Sequence, residues 1–429
     1  MAFSTAISGI NAATADLGVI SNNIANSSTT GFKASRAEFA DVYATSLLGA
    51  GSNAIGKGVS LAGVTQEFGQ GNITFTNNSL DLAINGNGFF QLSVEGAIEY
   101  TRAGNFQVDR EGFLVSNQNS RLQGFQVDAG GDVTGQLGDI QIDTSLIDPN
   151  ATASVSLTSN LDSREVSPGT GFGGAAAPFT EYDAFAATPT SPSPADFNAT
   201  TSTTIYDSLG NPHVLSLYYV KTANANEWNV FSLIDGVSQN AGAPVTLNFA
   251  SNGQFTAASL TDIPIAGWDP LNTDGSSTGA LSPASFNVDL AQTTQFGTAF
   301  AVSSVVQDGF SAGQLRGLEI DESGVAFARY TNGESRALGQ IALASFNNQN
   351  GLQPVGDTNW VETFSSGSPN VGEPGTSGLG VVQSAALEDS NVEITQELVD
   401  LIVAQRNFQA NAQVIQAEDA ITQTVINLR

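Results

Sequence analysis

The chain has 429 residues, no cysteine and a formal charge of −28, from 13 basic against 41 acidic side chains. That balance repels phosphate backbones and anionic headgroups, so it argues against nucleic acid as a partner and against membrane binding. Without cysteine, disulfides, thiolate metal sites and thiol nucleophiles are excluded, while 41% hydrophobic residues are enough to fill the cores of two or three domains.

The first segment, "MAFSTAISGINAATADLGVISNNIA", reads as an amphipathic helix. Phe3, Ile10, Leu17 and Ile24 recur every seven residues, with Ile7 and Ile20 beside that row. A helix of this length spans about 33 Å and needs a packing partner to be stable in water. The segment lacks the basic start and continuous apolar core of a cleaved signal peptide, and no run approaches a membrane span. The stretch "NNIANSSTTGFKASR" then abandons the pattern. Asn26 and Ser27 can close a helix by bonding local backbone, and Gly31 permits a sharp reversal. Phe32, Lys33 and Arg36 follow, the last two as positive charges in a chain that has few.

From about Ser79 the text changes to short strands and turns. "LDLAINGNGFFQLSV" alternates apolar residues around Asn85-Gly86, a hairpin cue. Further turns are expected at Gly130-Gly131 and at Gly210-Asn211-Pro212. Residues 163–200 and 263–283 are rich in Pro, Gly and Ser and read as loops. From Ser390 to the C-terminus there is neither Gly nor Pro. Ser390 and Glu393 fit a capping box. Ile394, Leu401, Phe408 and Ile415 form a second seven-residue row, and Leu398, Ile421, Val425 and Leu428 extend the stripe. This helix would measure about 55 Å.

Catalytic chemistry finds little purchase. The single histidine, His213, lies beside Pro212 in an expected turn and reads as structural or solvated. No histidine pair can hold a metal, "NTDGSSTG" falls short of a full calcium loop, and "NGNGFF" does not lead into a helix as a phosphate cradle would. No enzyme activity, cofactor or metal is expected.

The expected fold is therefore a mainly β multi-domain protein with a discontinuous terminal α-helical coiled-coil domain, its domains nested and built from both halves of the chain. Terminal helices separated by mostly β sequence imply an antiparallel stem. One helix pair buries little, so its remaining apolar surface implies packing against other copies; the competing expectation is that both helices dock on the sheets.

"SNNIANSSTTGFKASRAEF", "SLDLAINGNGFFQL", "YTRAGNFQVDREGFLV" and "ELVDLIVAQRNFQANAQVIQAEDAITQTVINLR" closely resemble the bacterial flagellar axial family of rod and hook subunits. "TIYDSLGNPHVLSLYYVKT", "NEWNVFSLIDG" and "ALGQIALASFNNQNGLQPVGDTNW" resemble its hook branch. The resemblance implies a homopolymer, a curved flexible tube that transmits torque as a universal joint. It implies a terminal helical polymerisation domain (1–30 and 388–429), a connecting loop and hairpin segment (31–76 and 362–387), an inner β domain (77–147 and 286–361) and an outer β domain (148–285). The polymer core would be Phe3, Ile7, Ile10, Leu17, Ile20, Ile24, Ile394, Leu398, Leu401, Phe408, Ile415, Ile421, Val425 and Leu428. Asn26, Gly31, Phe32, Lys33 and Arg36 would form the connector, the two cations meeting acidic groups of neighbouring subunits. Phe3 and Ile7 would also be the candidate export signal. Implied partners are the flagellar rod, hook cap and hook–filament junction proteins, with the flagellar type III export apparatus, and the location is an extracellular appendage reached without a cleaved signal. The alternatives are a distal rod subunit, a surface β-domain adhesin or carbohydrate binder, and a hydrolase with paired carboxylates.

Overall fold

The computed structural model describes residues 2–42, 56–128, 130–143, 145–168, 183–185, 191–257, 259–282 and 284–427. Helix α1 spans Ala2–Ala25 and helix α2 spans Ile394–Asn427; nearly everything described between them is strand, turn and loop. The chain divides into two compact units. The first comprises 1–144, 316–329 and 335–429, and the second comprises 145–315 and 330–334.

In the first unit, both chain ends converge by pairing strands distant in sequence. Ile73–Phe75 pairs antiparallel with Ala386–Glu388, and Leu82–Asn85 with Val381–Ser384. The second pairing overturns the hairpin expected at Asn85-Gly86. Gly86 does turn the chain, at φ +114°, but the edge of Leu82–Asn85 is taken by the returning C-terminal strand. The tight hairpin forms one strand later, where Glu95 and Gly96 both adopt positive φ between Phe89–Val94 and Ala97–Thr101, as a type I′ turn demands. The expected turn at Gly130-Gly131 does join two antiparallel strands, Arg121–Val127 and Val133–Asp139. An aromatic core lies over this sheet, with Phe68, Phe89 and Trp360 meeting edge to face at 5.6–5.7 Å.

The second unit is a sandwich of two five-stranded sheets. One sheet centres on Ser154–Asp162, which pairs in parallel with Ala284–Asp289 and Thr294–Phe296 and antiparallel with Ala301–Gln307. The other holds Ala199–Tyr206, Pro212–Lys221 and Glu227–Ile234, the first two joined through the turn at Gly210. Alternating residues of both sheets fill one core, including Leu157, Leu215, Leu217, Tyr219, Trp228, Leu247, Ile265 and Val288. Because strands within 284–307 complete the first of these sheets, residues 286–315 lie in this unit and not with the inner segment expected from sequence.

His213 belongs to this core. It is buried, with Nδ1 2.6 Å from Asp235 Oδ2 and Nε2 3.5 Å from Asp207 Oδ2. Its ring meets Trp268 edge-on at 5.0 Å. Burial pushes its pKa down, but the two carboxylates outweigh that and hold it above the ordinary imidazole value.

Candidate assembly site

The two terminal helices run antiparallel against each other. Asn23 near the end of α1 donates Nδ2 to Glu397 Oε1 near the start of α2, at 3.0 Å. At the opposite end, a Cβ on Gly9 would lie 2.5 Å from Asn411 Oδ1. Alanines, with Ile20 from the row expected in the sequence, make this seam. Ala6, Ala13 and Ile20 of α1 are buried at seven-residue spacing, and Ala404 of α2 is 1% exposed. The larger row expected from sequence sits beside the seam: Ile10, Leu17 and Ile24 are only partly covered, while Phe3 and Ile7 are exposed. Small residues let two backbones approach closely and displace larger ones to the margins.

The rest of the apolar surface of α2 is open. Ile394, Leu398, Val399, Ile402, Val403, Phe408, Val414 and Ile421 are all exposed, while Leu401 and Ile415 are partly covered. At 100° per residue, Leu398, Val399, Ile402 and Val403 lie on the side of the helix away from Ala404. A helix apolar on more than one side belongs in an environment with more than one neighbour. These side chains do not dock on the sheets. Leu428 and the side chain of Val425 lie outside the described residues.

The connector is built around three buried charges. Lys33 Nζ donates to Glu388 Oε1 at 2.6 Å and to the Gly69 carbonyl at 2.8 Å. Arg102 Nη1 donates to Glu388 Oε2 at 3.0 Å, and its Nη2 to the Gly86 carbonyl at 2.9 Å. The Gly71 amide donates to Glu388 Oε1 at 2.8 Å. The side chains of Lys33 and Glu388 have no solvent exposure and that of Arg102 has 3%. Burial lowers the Lys33 and Arg102 pKa values although the Glu388 charge opposes it in both. Two cations face one carboxylate, and backbone carbonyls take further donors, as buried charge requires.

Gly31 makes the approach possible. It has φ +69°, donates its amide to the Glu388 carbonyl at 2.8 Å, and leaves no room for a Cβ, which would lie 2.5 Å from Ala103 N. Asn26 caps α1 locally through Nδ2 to the Asn22 carbonyl at 2.9 Å. Phe32 is half-buried and donates its amide to the Thr29 carbonyl. Asn23, 2% exposed, also bonds both backbone groups of Ser35, at 2.8 and 2.9 Å, fastening α1 to the strand Ser35–Asp41.

Two sequence-based expectations need correction here. Lys33 does not present its charge to a neighbouring subunit; Glu388 of the same chain consumes it. Arg36 does stay on the surface, 3.6 Å from Glu38 and 3.5 Å from Glu67. Ser390 and Glu393 do not form a capping box either, because α2 begins only at Ile394 and the Ser390 hydroxyl accepts the Val392 amide at 3.3 Å. Glu388, Arg102, Asn23 and the alanine seam went unnoticed in the sequence. Strand parity could have revealed Glu388, since it alternates with Leu387 and shares the inward face of Ala386, itself fully buried.

The chain matches four family models. The flagella basal body rod protein model covers residues 3–33 and the flagellar hook protein FlgE/F/G D1 domain covers 83–160. The flagellar basal body protein FlaE D2 domain covers 160–310, and the flagellar basal body rod FlgEFG protein C-terminal model covers 383–428. The flagellar hook protein FlgE of Escherichia coli is 38% identical across the full length of both chains. That of Borreliella burgdorferi is 35% identical over 99% of this chain and 98% of its own. The crystal structure of Helicobacter pylori flagellar hook protein FlgE2 superposes with a TM-score of 0.54 at 15% identity, covering 73% of this chain and 100% of that one, so the fold is shared. With terminal helices paired, a β-sheet unit between them and full-length identity to these relatives, the chain belongs to the flagellar hook protein FlgE family and is a structural subunit of the hook.

Proposed function

We propose that α1 and α2 are the assembly element of the subunit, and that further copies cover the apolar surface left open on the pair. The exposed row Leu398, Val399, Ile402 and Val403 carries this reading. At about 25 cal/mol per Å² of apolar area removed from water, covering this row in several copies at once is a strong drive to polymerise.

The tube so formed passes torque between the flagellar rod and the filament while bending. Its other contacts would be the rod, the hook cap and the hook–filament junction proteins. Phe3 and Ile7, exposed near the start of α1, would serve export by the flagellar type III apparatus before they serve packing. The acidic charge and the neutral hydroxyl- and amide-rich composition suit surfaces that slide with water between them. Arg36, exposed beside Glu38 and Glu67, remains available at the surface of the connector.

The test is a chain carrying Leu398→Ser, Val399→Ser, Ile402→Ser and Val403→Ser. It should keep the β-sheet signal of the native chain and fail to form tubes under the electron microscope. Tubes of native form from this variant would refute the assignment.

A further inference from the structure

A cavity of 530 Å³ opens on the second unit, where the start of the strand Pro212–Lys221 meets the turn at Asp235 and the loop 271–278. Phe185 lines it from a separate segment. Two turn glycines, Gly236 and Gly275, both at φ +80°, let that segment come close. A Cβ on Gly236 would lie 2.9 Å from Ala184 Cβ, and one on Gly275 would lie 3.3 Å from Phe185 Cβ. A cavity of this size is in the range that holds a small organic ligand.

The charged groups beside it are already satisfied. Asp235 Oδ2 meets His213 Nδ1, and Asp235 Oδ1 accepts the Val214 amide at 2.8 Å. The other nitrogen of His213 faces Asp207 Oδ2, which also accepts Asn211 Nδ2 at 2.9 Å. The neutral groups are not satisfied. Among the described residues, Ser216 Oγ, Thr273 Oγ1 and the side-chain carbonyls of Asn211 and Asn272 have no hydrogen-bond partner, and all four residues line the cavity. Phe185, Val214 and Leu271 place apolar surface among them.

This lining selects among ligand classes. A charged ligand finds no spare opposite charge and has to break the His213 pairs to gain one. A purely apolar ligand strips water from four polar groups and returns no hydrogen bond to any of them. An uncharged saccharide meets both demands, because its hydroxyls pair with neutral hydroxyl and amide groups while its apolar C–H face packs on a ring such as that of Phe185. We infer that this cavity is a binding site for an uncharged saccharide. The inference does not rest on the assembly reading above.

Isothermal titration of the full chain with maltose, cellobiose and N,N′-diacetylchitobiose tests it, beside glucuronate, glucosamine and indole as charged and apolar comparisons. Saturable heat is expected with at least one neutral disaccharide and with none of the comparisons. Removing two hydroxyls, in Ser216→Ala with Thr273→Val, should weaken that binding about ten-fold or more. Phe185→Ala should weaken it too, and Ser216→Trp, which fills the cavity, should abolish it. All these positions lie outside the buried core of the sandwich, so each variant should melt as the native chain does. The site is overturned if the native chain gives no saturable heat with any neutral disaccharide. It is equally overturned if glucuronate, glucosamine or indole binds more tightly, or if a Ser216→Trp chain with native melting binds as the native chain does.

Discussion

Lys33 and Glu388 stand 355 positions apart in the chain, yet their charged atoms meet at 2.6 Å with both side chains shut off from water. Arg102 closes the cluster from a third segment. The contact ties the exit of α1, the sheet and the approach to α2 into one joint.

Removing the shared acceptor should therefore be the costliest change in the connector. Glu388→Ala strands two buried cations and the Gly71 amide, and breaking such a cluster costs about 3–5 kcal/mol. Lys33→Met leaves the Arg102–Glu388 pair balanced and should cost clearly less. Urea unfolding of both variants, followed by circular dichroism, orders the two; equal losses would mean that the bonds of Glu388 to Arg102 and the Gly71 amide add nothing to its bond with Lys33.

The helix pair should tighten in mild acid. Burial, and then Asp400, raises the Asp16 pKa from 3.8, and burial raises Glu397 from 4.5 with Asp400, Glu67 and Asp16 adding to it against the Asn23 bond. Raised carboxyl values mean that the folded state binds protons more tightly than the unfolded one. The resulting stabilisation is full below the unfolded values and fades as pH rises through the folded ones. Helical melting followed from pH 4 to 7, roughly the window above these values, should fall with rising pH, and Asp400→Asn should flatten the trend. A melting temperature that climbs toward neutrality would contradict this.

Overpacking the seam should separate the helices. Ala404 is the buried alanine of α2, at 1% exposure, so Ala404→Phe has no room for its ring and should cost about 1–3 kcal/mol. We expect helical signal to drop while the sheet signal persists, and tube formation to be lost. Replacement of the exposed Gln413 by Phe serves as the control for helix propensity.

In the second unit, His213 links the turn at Asp207 to the turn at Asp235. Its raised pKa stabilises the sandwich below about 6.5, and that contribution disappears as pH rises through the folded value. The edge-on Trp268 gives the readout: tryptophan fluorescence should change as pH rises past the ordinary imidazole range in the native chain and stay flat in His213→Gln. Identical titrations would sink the assignment.

Periodicity in the sequence located α1 and α2 because a helix needs only local spacing, and it located the turns at Gly131 and Gly210 because positive φ leaves a local signature in glycine. Asn85-Gly86 misled for the complementary reason. A turn cue says where the chain bends, while the partner of Leu82–Asn85 lies almost 300 residues on, at Val381–Ser384.

Composition and spacing thus determined on their own that this is an acidic, β-rich subunit with apolar helical ends, since burial preference and backbone conformation are properties of short stretches. Only the tertiary structure decided which apolar residues close the helix pair and which stay open, and that Lys33 is neutralised within its own chain. Those outcomes depend on distances between segments hundreds of residues apart, and no local pattern encodes a distance.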